Sequence, residues 1–246
     1  MKLGFALASC VVACSSSAKA PATPTHGSAE TPAHKGHDGH PGHHGHHGDG
    51  HGGMTHSFKG ADEWAKVFDD PARDEWQKPD EVVAAMAIAP GMTVADLGAG
   101  TGYFVSRLSK AAGTTGAVLA LDVETDMVEY MKQRAAREGW QHVTPQLTAS
   151  DAPTLVANSV DRILIVDVWH HLENRTAYAA KLAAALKPGG AVIVVDFEMD
   201  SPMGPGKAMR ILPAALAAEL QTAGLKTELP TESLPYQYIV VARKPA

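Results

Sequence analysis

The sequence predicts an α/β fold in which a mostly parallel sheet lies between layers of helices. From residue 79 onward, short apolar runs alternate with segments of helical periodicity, and this alternation is typical of parallel sheets. Several of the apolar runs end in an acid or in a glycine-rich turn. Because ligands bind at the carboxyl ends of parallel strands, we expect a ligand site at that end of the sheet.

Composition divides the 246 residues into a tail and a domain. Ten of the thirteen histidines lie between His26 and His56, and both cysteines lie within the first 14 residues. The domain is predicted at 57–246, which is long enough for one α/β domain with a core. Without cysteine, it can hold neither a disulfide nor a cysteine-ligated metal. The net charge of −6 and the absence of Lys/Arg clusters argue against nucleic-acid binding.

Residues 1–14 resemble the signal peptide of a bacterial lipoprotein. A positive start is followed by an apolar run, residues 3–13, that is too short to span a bilayer. Val11-Val12-Ala13-Cys14 is similar to a lipobox, which implies a lipid anchor on Cys14 and a place in the cell envelope, at the outer membrane or the periplasmic face. The alternative is translation from Met54, which would give a cytoplasmic protein.

Residues 15–56 are predicted to form a disordered linker, because they are rich in Gly, His and Pro and contain almost nothing apolar. Neutral imidazoles at this density could chelate zinc, nickel or copper loosely. The densest group is His43, His44, His46 and His47. The alternative is a solvated spacer, and a metal-dependent function is not expected.

Residues 94–104, Val-Ala-Asp-Leu-Gly-Ala-Gly-Thr-Gly-Tyr-Phe, predict a buried strand, a turn and a helix. The turn contains Gly98, Gly100 and Gly102. Without Cβ atoms these residues let a ligand lie against the backbone, and the first N–H groups of the helix point at it. A dinucleotide site needs a small residue where Tyr103 stands, which excludes that kind of site. Asp96 would repel a pyrophosphate and suits a ligand with an ammonium group.

A second acid, Asp122, ends the apolar strand predicted at 117–122. A carboxylate at the C-terminal end of a parallel strand can accept hydrogen bonds from both hydroxyls of a ribose. Asp122 follows Gly98 by 24 residues, which one helix and one strand account for. The third strand, Val143 to Leu147, is expected at the edge of the sheet because it contains Pro145.

The fourth strand, predicted at 159–167, is apolar on both faces and therefore central. It leads to Trp169, His170 and His171, which are costly residues for a plain loop. Imidazole titrates near neutrality, so either histidine could act as a general base, or one could merely hold the loop by hydrogen bonding. The fifth strand, predicted at 191–195, places Asp196 and Glu198 on the same ligand side.

The remaining helices and strands are predicted from residues that cap a helix or end it. Asn174 is predicted to cap a helix, and Lys187-Pro188-Gly189-Gly190 to end it. Residues 199–207, rich in Met, Pro and Gly, predict a loop over the substrate. A last helix at 211–223 and two final strands, at 226–229 and 237–242, complete the domain.

The glycine turn, the acid at Asp122 and the Leu-Lys-Pro-Gly-Gly phrase together resemble the class I S-adenosylmethionine-dependent methyltransferases, over about residues 79–243. The resemblance implies a Rossmann-like three-layer sandwich with a mostly parallel seven-stranded sheet and a C-terminal antiparallel hairpin. It also implies S-adenosylmethionine as the cofactor, no catalytic metal, and a small-molecule methyl acceptor that the sequence does not identify.

In that family the acid before the glycines helps hold the methionyl amino group, and an acid after the third strand commonly accepts a hydrogen bond from adenine. The implied cofactor residues are Asp96, Gly98, Gly100, Gly102, Asp122 and Asp151. The implied acceptor side comprises Trp169, Asp196 and Glu198, with His170 and His171 as catalytic candidates. Asp151 could instead cap a turn, and the His-His pair occurs in members with different substrates.

Two further alternatives remain open. In the family, the segment before the glycine turn often folds over the cofactor, so Arg73 and Trp76 could form a lid, or simply a surface cap on the core. Because S-adenosylmethionine is made in the cytoplasm, the chain could also be a membrane-tethered lipoprotein. It would then bind metal through its histidine tract and carry a non-catalytic domain.

Overall fold

The computed structural model describes residues 60–246. The leader at 1–14 with Cys14, the linker at 15–56 with its histidines, and the first three residues of the predicted domain lie outside the described residues. The lipid anchor, the metal chelation by His43, His44, His46 and His47 and the start of the domain therefore stay predictions. Within residues 60–246, no helix is long and apolar enough to cross a membrane.

Seven strands form one sheet in the order β3-β2-β1-β4-β5-β7-β6. Their bounds are β1 Thr93–Leu97, β2 Ala117–Asp122, β3 Val143–Leu147, β4 Val160–Val166, β5 Leu186–Phe197, β6 Lys226–Glu228 and β7 Gln237–Arg243. Strands β1 to β5 pair in parallel, whereas β7 runs antiparallel to both β5 and β6. The predicted mostly parallel sheet with an antiparallel C-terminal pair is confirmed, and β3 lies at the edge.

Seven α-helices flank the sheet in the described part of the chain. They are α1 Ala61–Phe68, α2 Arg73–Gln77, α3 Pro79–Ala85, α4 Val105–Ala112, α5 Thr125–Glu138, α6 Arg175–Ala185 and α7 Pro213–Gln221, with short 3-10 turns at Trp169–His171 and Lys207–Met209. Asn174 caps α6 as predicted, since its side chain accepts a hydrogen bond from the N–H of Ala177 at 3.2 Å.

The core lies on both faces of the sheet, as a central parallel strand requires. Alternate residues of β4 show this: Ile163 and Ile165 pack in the cluster that contains α6 and α7, while Leu164 packs in the cluster that contains α3, α4 and α5. All three side chains are fully buried. This two-sided burial fixes β4 and β1 at the centre of the domain, and their carboxyl ends therefore lie side by side.

The largest difference from the predicted strand boundaries is at the start of the fifth strand. Strand β5 begins at Leu186, five residues before the predicted start. Leu186 takes an extended conformation and pairs with Val160, which ends α6 before the Lys-Pro-Gly-Gly phrase. Helix α3 starts at Pro79 and ends at Ala85, and Ala87 takes a left-handed conformation with φ of 48°. Residues 73–77 form the short helix α2.

Candidate active site

Four acids meet at the carboxyl ends of the central strands. Asp96 lies in β1, Asp122 ends β2, Asp167 follows β4 and Asp196 lies in β5. Burial, and repulsion from a neighbour in the set, raise the pKa of Asp96 and of Asp167. The strand order places these ends at the point where the chain changes direction across the sheet, which is where open α/β sheets bind ligands.

The glycine turn is constrained by its backbone conformation and, at Gly98, by close packing. Its three glycines have φ values of +77°, +56° and +89°, which L-residues rarely adopt. A Cβ atom on Gly98 would lie 2.3 Å from Cγ2 of Val168, so the turn after β1 packs directly against the loop after β4. Arg134 of α5 fastens the turn by donating to the carbonyl oxygen of Thr101 at 3.1 Å.

Asp122 is oriented by two backbone hydrogen bonds. Its Oδ2 accepts from the N–H of Gly100 at 2.8 Å, and its Oδ1 accepts from the N–H of Glu124 at 2.9 Å. Burial raises the pKa of Asp122, while these hydrogen bonds oppose the rise. Each carboxylate oxygen can accept a second hydrogen bond. The side chain is therefore held ready for a pair of hydroxyl donors.

Asp96 is a buried acid without a hydrogen-bond donor. Its exposed fraction is 3%, and its carboxylate accepts no hydrogen bond from any residue in the described domain. Burial and the nearby Asp122 raise its pKa to about 7, and the positive charge of Arg73 acts in the opposite direction. A ligand with an ammonium group would satisfy this carboxylate.

His170 and Asp196 form a buried pair. Nδ1 of His170 lies 2.8 Å from Oδ1 of Asp196, which also accepts from the N–H of Phe197 at 2.8 Å. In the tautomer in which Nδ1 donates to this carboxylate, Nε2 is the basic nitrogen. The other oxygen of Asp196, Oδ2, is buried and has no hydrogen-bond partner among the described residues. The ring centre of His171 lies 4.2 Å from that of His170, and His171 is exposed.

Trp169 lies away from this cleft. Its indole is fully buried in the core with α6 and α7, and Nε1 donates to Glu219 of α7 at 2.8 Å. Arg175 donates to the same carboxylate at 2.9 Å. The expected place of Trp169 on the acceptor side is thus corrected: the residue anchors the loop that carries His170. A large apolar ring next to a core strand gains more free energy by burial than by lining a cleft.

Asp151 and Glu198 are less enclosed than the other predicted site residues. Asp151 is exposed after β3, and its backbone carbonyl accepts from Nζ of Lys181 at 2.6 Å. Glu198 is half-buried after β5; burial raises its pKa, as do the charges of Asp200 and Glu232. The adenine role of Asp151 and the acceptor role of Glu198 stay predictions.

Further residues line the cleft, among them Arg73, which the sequence predicted only as a possible lid residue. Arg73 of α2 lies 3.7 Å from Asp167, and its guanidinium carbon is 4.1 Å from the ring centre of Tyr103. Gln77 donates to Gln237 of β7 at 2.6 Å, and Gln237 donates to Asp167. Helix α2 therefore covers the strand ends as a lid. Asp167 carried a signal as an acid that ends a central strand, and Arg73 as a possible lid residue, whereas Gln77 and Gln237 carried none.

Two apolar side chains are exposed beside the acids. Val123 directly follows β2 and is 50% exposed, and Leu147 ends β3 and is 51% exposed. These side chains offer apolar surface at the rim of the cleft.

The comparisons with known proteins agree with this geometry. A family model described as a methyltransferase domain matches residues 94–190. The solved structure of a SAM dependent methyltransferase from Aquifex aeolicus superposes with a TM-score of 0.69 at 27% identity, covering 75% of this chain and 98% of that chain. Residues 94–190 thus match a methyltransferase domain, and the fold around them is that of a class I S-adenosylmethionine-dependent methyltransferase. The predicted family is confirmed.

Curated relatives match a shorter part of this methyltransferase than the solved structure does. A ubiquinone/menaquinone biosynthesis C-methyltransferase UbiE from Hydrogenovibrio crunogenus is 29% identical over 123 residues, which are 50% of this chain and 48% of that protein. A demethylmenaquinone methyltransferase from Tropheryma whipplei is 32% identical over 112 residues, 46% of this chain and 44% of that protein. The chain thus spans about half the length of the curated relatives it matches.

S-adenosylmethionine is the cofactor of this methyltransferase family, and the strand ends fit it. Asp96 lacks a donor that the ammonium group would supply, and Asp122 has acceptor capacity for the ribose hydroxyls. Oγ1 of Thr101 in the glycine turn is buried without a partner among the described residues, as expected where a ligand belongs. Val123 and Leu147 offer apolar surface for the adenine ring.

Proposed function

We propose that this methyltransferase transfers a methyl group to a small phenolic or hydroquinone-type acceptor. The observation that carries the proposal is the buried His170–Asp196 pair at the ends of β4 and β5. An acceptor of this class must lose a proton as its oxygen or ring carbon attacks, whereas a neutral amine can attack before losing one. The curated relatives named for ubiquinone and menaquinone biosynthesis support the same acceptor class.

Each residue has a defined part in this proposal. The cofactor, when bound, supplies a methyl group on a positively charged sulfur. Asp96 holds the ammonium group of its amino-acid portion, and Asp122 holds the hydroxyls of its ribose. Nε2 of His170 takes the proton of the acceptor, and Asp196 keeps the imidazole in the required tautomer and balances the charge it gains. Alignment of the two reactants supplies most of the acceleration, about 7–11 kcal/mol in favourable cases.

The test is methyl transfer from labelled S-adenosylmethionine, catalysed by the full chain, to hydroquinones, catechols and amines. We expect label on a phenolic acceptor. His170→Asn should lower kcat by roughly 10²–10⁴-fold and remove the acid limb of the pH–rate profile, with cofactor affinity unchanged. His171→Asn is the matched control and should have a much smaller effect.

Two results would contradict the proposal at different levels. Label on amines alone would reject the acceptor class, and no binding of S-adenosylmethionine at millimolar concentration would reject the activity itself. An equal loss of kcat in both histidine variants would reject the role of His170 as the base.

We also propose that the chain is anchored in the cell envelope through a lipid on Cys14. The support is the lipobox-like sequence alone. Fractionation of cells, with mass analysis of the N-terminus, should find a lipidated Cys14 in the membrane fraction. Cys14→Ser should release the protein from that fraction. A mature chain that starts at Met54 would contradict the proposal.

A further inference from the structure

One side chain organises the loop that joins β5 to α7. The guanidinium of Arg210, near the end of this loop, donates five hydrogen bonds, and every acceptor is a main-chain carbonyl oxygen of residues 198–205. The acceptors are Pro205 at 2.9 Å, Met203 at 3.1 Å, Ser201 at 2.7 Å, Met199 at 3.1 Å and Glu198 at 3.3 Å. One group therefore ties together residues 198–210, which we call the clamped loop.

The other hydrogen bonds within the clamped loop are local. In residues 198–210 they join positions at most three apart, as where the hydroxyl of Ser201 donates to the carbonyl of Met203 at 3.0 Å. Local bonds of this kind fix single turns but not the course of a whole loop. Hydrogen bonds from a charged guanidinium are stronger than neutral ones, and its planar fork fixes their directions. The shape of the loop thus depends mainly on Arg210.

The clamped loop packs against the end of β5. A Cβ atom on Gly204 would lie 2.5 to 2.7 Å from three ring carbons of Phe197, so the backbone of the loop lies directly on that ring. The centre of the same ring lies 6.2 Å from that of Trp76 in α2. Phe197 follows Asp196, whose carboxylate lies 2.8 Å from His170. The loop therefore borders the acceptor end of the crevice.

We propose that Arg210 is a positioning residue for the methyl acceptor, because it holds the clamped loop as a fixed wall at the acceptor end of the crevice. This inference rests on the proposed function. The five carbonyl acceptors all belong to the loop itself, so no ligand is needed to complete its shape. A wall that is ordered beforehand lowers the entropy cost of binding and selects acceptors by their shape.

The clamped loop is separated from the predicted cofactor residues. Asp96 and Asp122 lie in β1 and β2, whereas the loop follows β5, and β4 lies between β1 and β5 in the sheet. Loosening the loop should therefore weaken acceptor binding and leave cofactor binding almost unchanged. A general loss of stability would instead affect both ligands.

The first experiment asks whether Arg210 holds the loop. Lys207 is exposed within the clamped loop, and trypsin cleaves after it only when the loop opens. In the full chain, Arg210→Gln should speed cleavage after Lys207 by at least about tenfold, as followed by mass analysis of the fragments. S-adenosylhomocysteine should change the wild-type rate by less than about twofold, because the wall is complete without it. Equal cleavage of the wild type and Arg210→Gln would reject the clamp.

The second experiment measures methyl transfer by the full chain to hydroquinone and to the bulkier tert-butylhydroquinone. Arg210→Gln should raise KM for hydroquinone about 10- to 100-fold, because the variant must order the loop each time the acceptor binds. KM for S-adenosylmethionine should change less than about twofold. The ratio of kcat/KM for the two acceptors should move toward one, since a mobile wall discriminates less by shape. Arg210→Lys keeps the charge without the fork and should fall between.

Two control variants separate positioning from charge and from stability. Lys207→Gln removes a positive charge from the same loop and should leave KM for acceptor and cofactor unchanged. Arg162→Gln removes a guanidinium that also donates to carbonyls, those of Met86 at 2.6 Å and Ala87 at 3.3 Å, but at the amino end of β4. It should lower stability without a selective rise in KM for the acceptor.

A further variant makes the test independent of whether the Arg210 variants fold. Gly204→Ala forces the loop away from Phe197 and leaves Arg210 in place. It should raise KM for hydroquinone in the same way and leave KM for S-adenosylmethionine unchanged.

The outcomes are distinct. If the wild-type chain methylates neither hydroquinone, the proposed function fails, and the acceptor role of the loop fails with it. If it methylates them, and Arg210→Gln leaves KM for hydroquinone unchanged or raises both KM values equally, the function stands and Arg210 is only structural. Strong protection of Lys207 by S-adenosylhomocysteine would reject the fixed wall in favour of a loop that closes.

Discussion

At the scale of single residues, burial of the site residue Asp96 lowers the stability of the ligand-free domain at neutral pH. It is buried without a donor among residues 60–246, and its pKa is raised from 3.8 to about 7. The folded domain therefore holds this proton more tightly than the unfolded chain does. As the pH rises from about 4 to about 7, ionisation of Asp96 favours the unfolded state, and stability falls.

The first prediction follows from that sign. Asp96→Asn should raise the free energy of unfolding at pH 8 by on the order of 2–4 kcal/mol, and by much less at pH 4.5, where the wild-type acid is protonated in the folded state. Urea unfolding of the full chain at both pH values measures the difference. The same variant should bind S-adenosylhomocysteine more weakly. An equal gain in stability at the two pH values would contradict the argument.

The second prediction concerns Asp122. Asp122→Ala should weaken binding of S-adenosylhomocysteine at least about tenfold, because charge-assisted hydrogen bonds to the ribose are lost. It should also lower stability by about 1–3 kcal/mol, since two backbone N–H groups lose their acceptor. Asp122→Asn is the control, since its amide oxygen still accepts one of these bonds. Unchanged affinity in Asp122→Ala would refute the ribose role.

The residues of this site divide by how local their signal is. Asp96 and Asp122 could be located from the sequence because each stands beside a recognisable turn or ends an apolar run. Gln237 could not, and for Arg73 the lid and the surface cap stayed open, because both residues reach the cleft only through packing of α2 and β7 against the strand ends. Trp169 was placed on the wrong side, because a loop position does not reveal which face of the sheet its ring will cover.

At the level of elements, the glycine turn is fixed by sterics on both sides. Gly98 combines a positive φ with a Cβ position 2.3 Å from Val168. Gly139, which ends α5, has a similar φ of +71° but open space around its Cβ position. Both glycines have a positive φ, but only Gly98 has a close contact at its Cβ position. Comparing the two therefore separates the cost of backbone strain from the cost of steric clash.

The third prediction uses this pair. Gly139→Ala should lower the free energy of unfolding by about 1–2 kcal/mol from backbone strain alone. Gly98→Ala should cost at least about 1 kcal/mol more, because the loop after β4 must move as well. Adding Val168→Ala to Gly98→Ala should recover the excess but not the strain. Equal costs for the two single variants, measured by urea unfolding, would mean that the loop yields freely.

Elements were predicted best where one physical cause dominated. Strand β2 has the predicted bounds, because a continuous apolar run ends in an acid. The start of β5 was misplaced because proline and two glycines usually end regular structure, whereas here the pairing of Leu186 with Val160 extends the strand beyond them. Helix α2 is only five residues long, too short for its periodicity to be seen.

On the scale of the whole molecule, the strand order explains why the site lies where it does. The chain builds β1, β2 and β3 outward in one direction and then returns to place β4 beside β1. The loops that follow β1 and β4 therefore leave the sheet on either side of a crevice. The cofactor end and the acceptor end share this crevice, with α2 over both, so one ligand should stabilise elements that are far apart in sequence.

The last prediction measures this linkage. S-adenosylhomocysteine at 100 times its Kd should stabilise the folded chain by about 2.7 kcal/mol, which corresponds to a rise in Tm of roughly 5–11 °C for a domain of this size. At the same ligand concentration, Asp122→Ala should show a smaller rise, because its occupancy is lower. Limited proteolysis should show slower cleavage between α1 and α3 when ligand is present, because the lid that Arg73 fastens opens less often. A rise in Tm without protection of that segment would mean that the ligand binds the strand ends without engaging the lid.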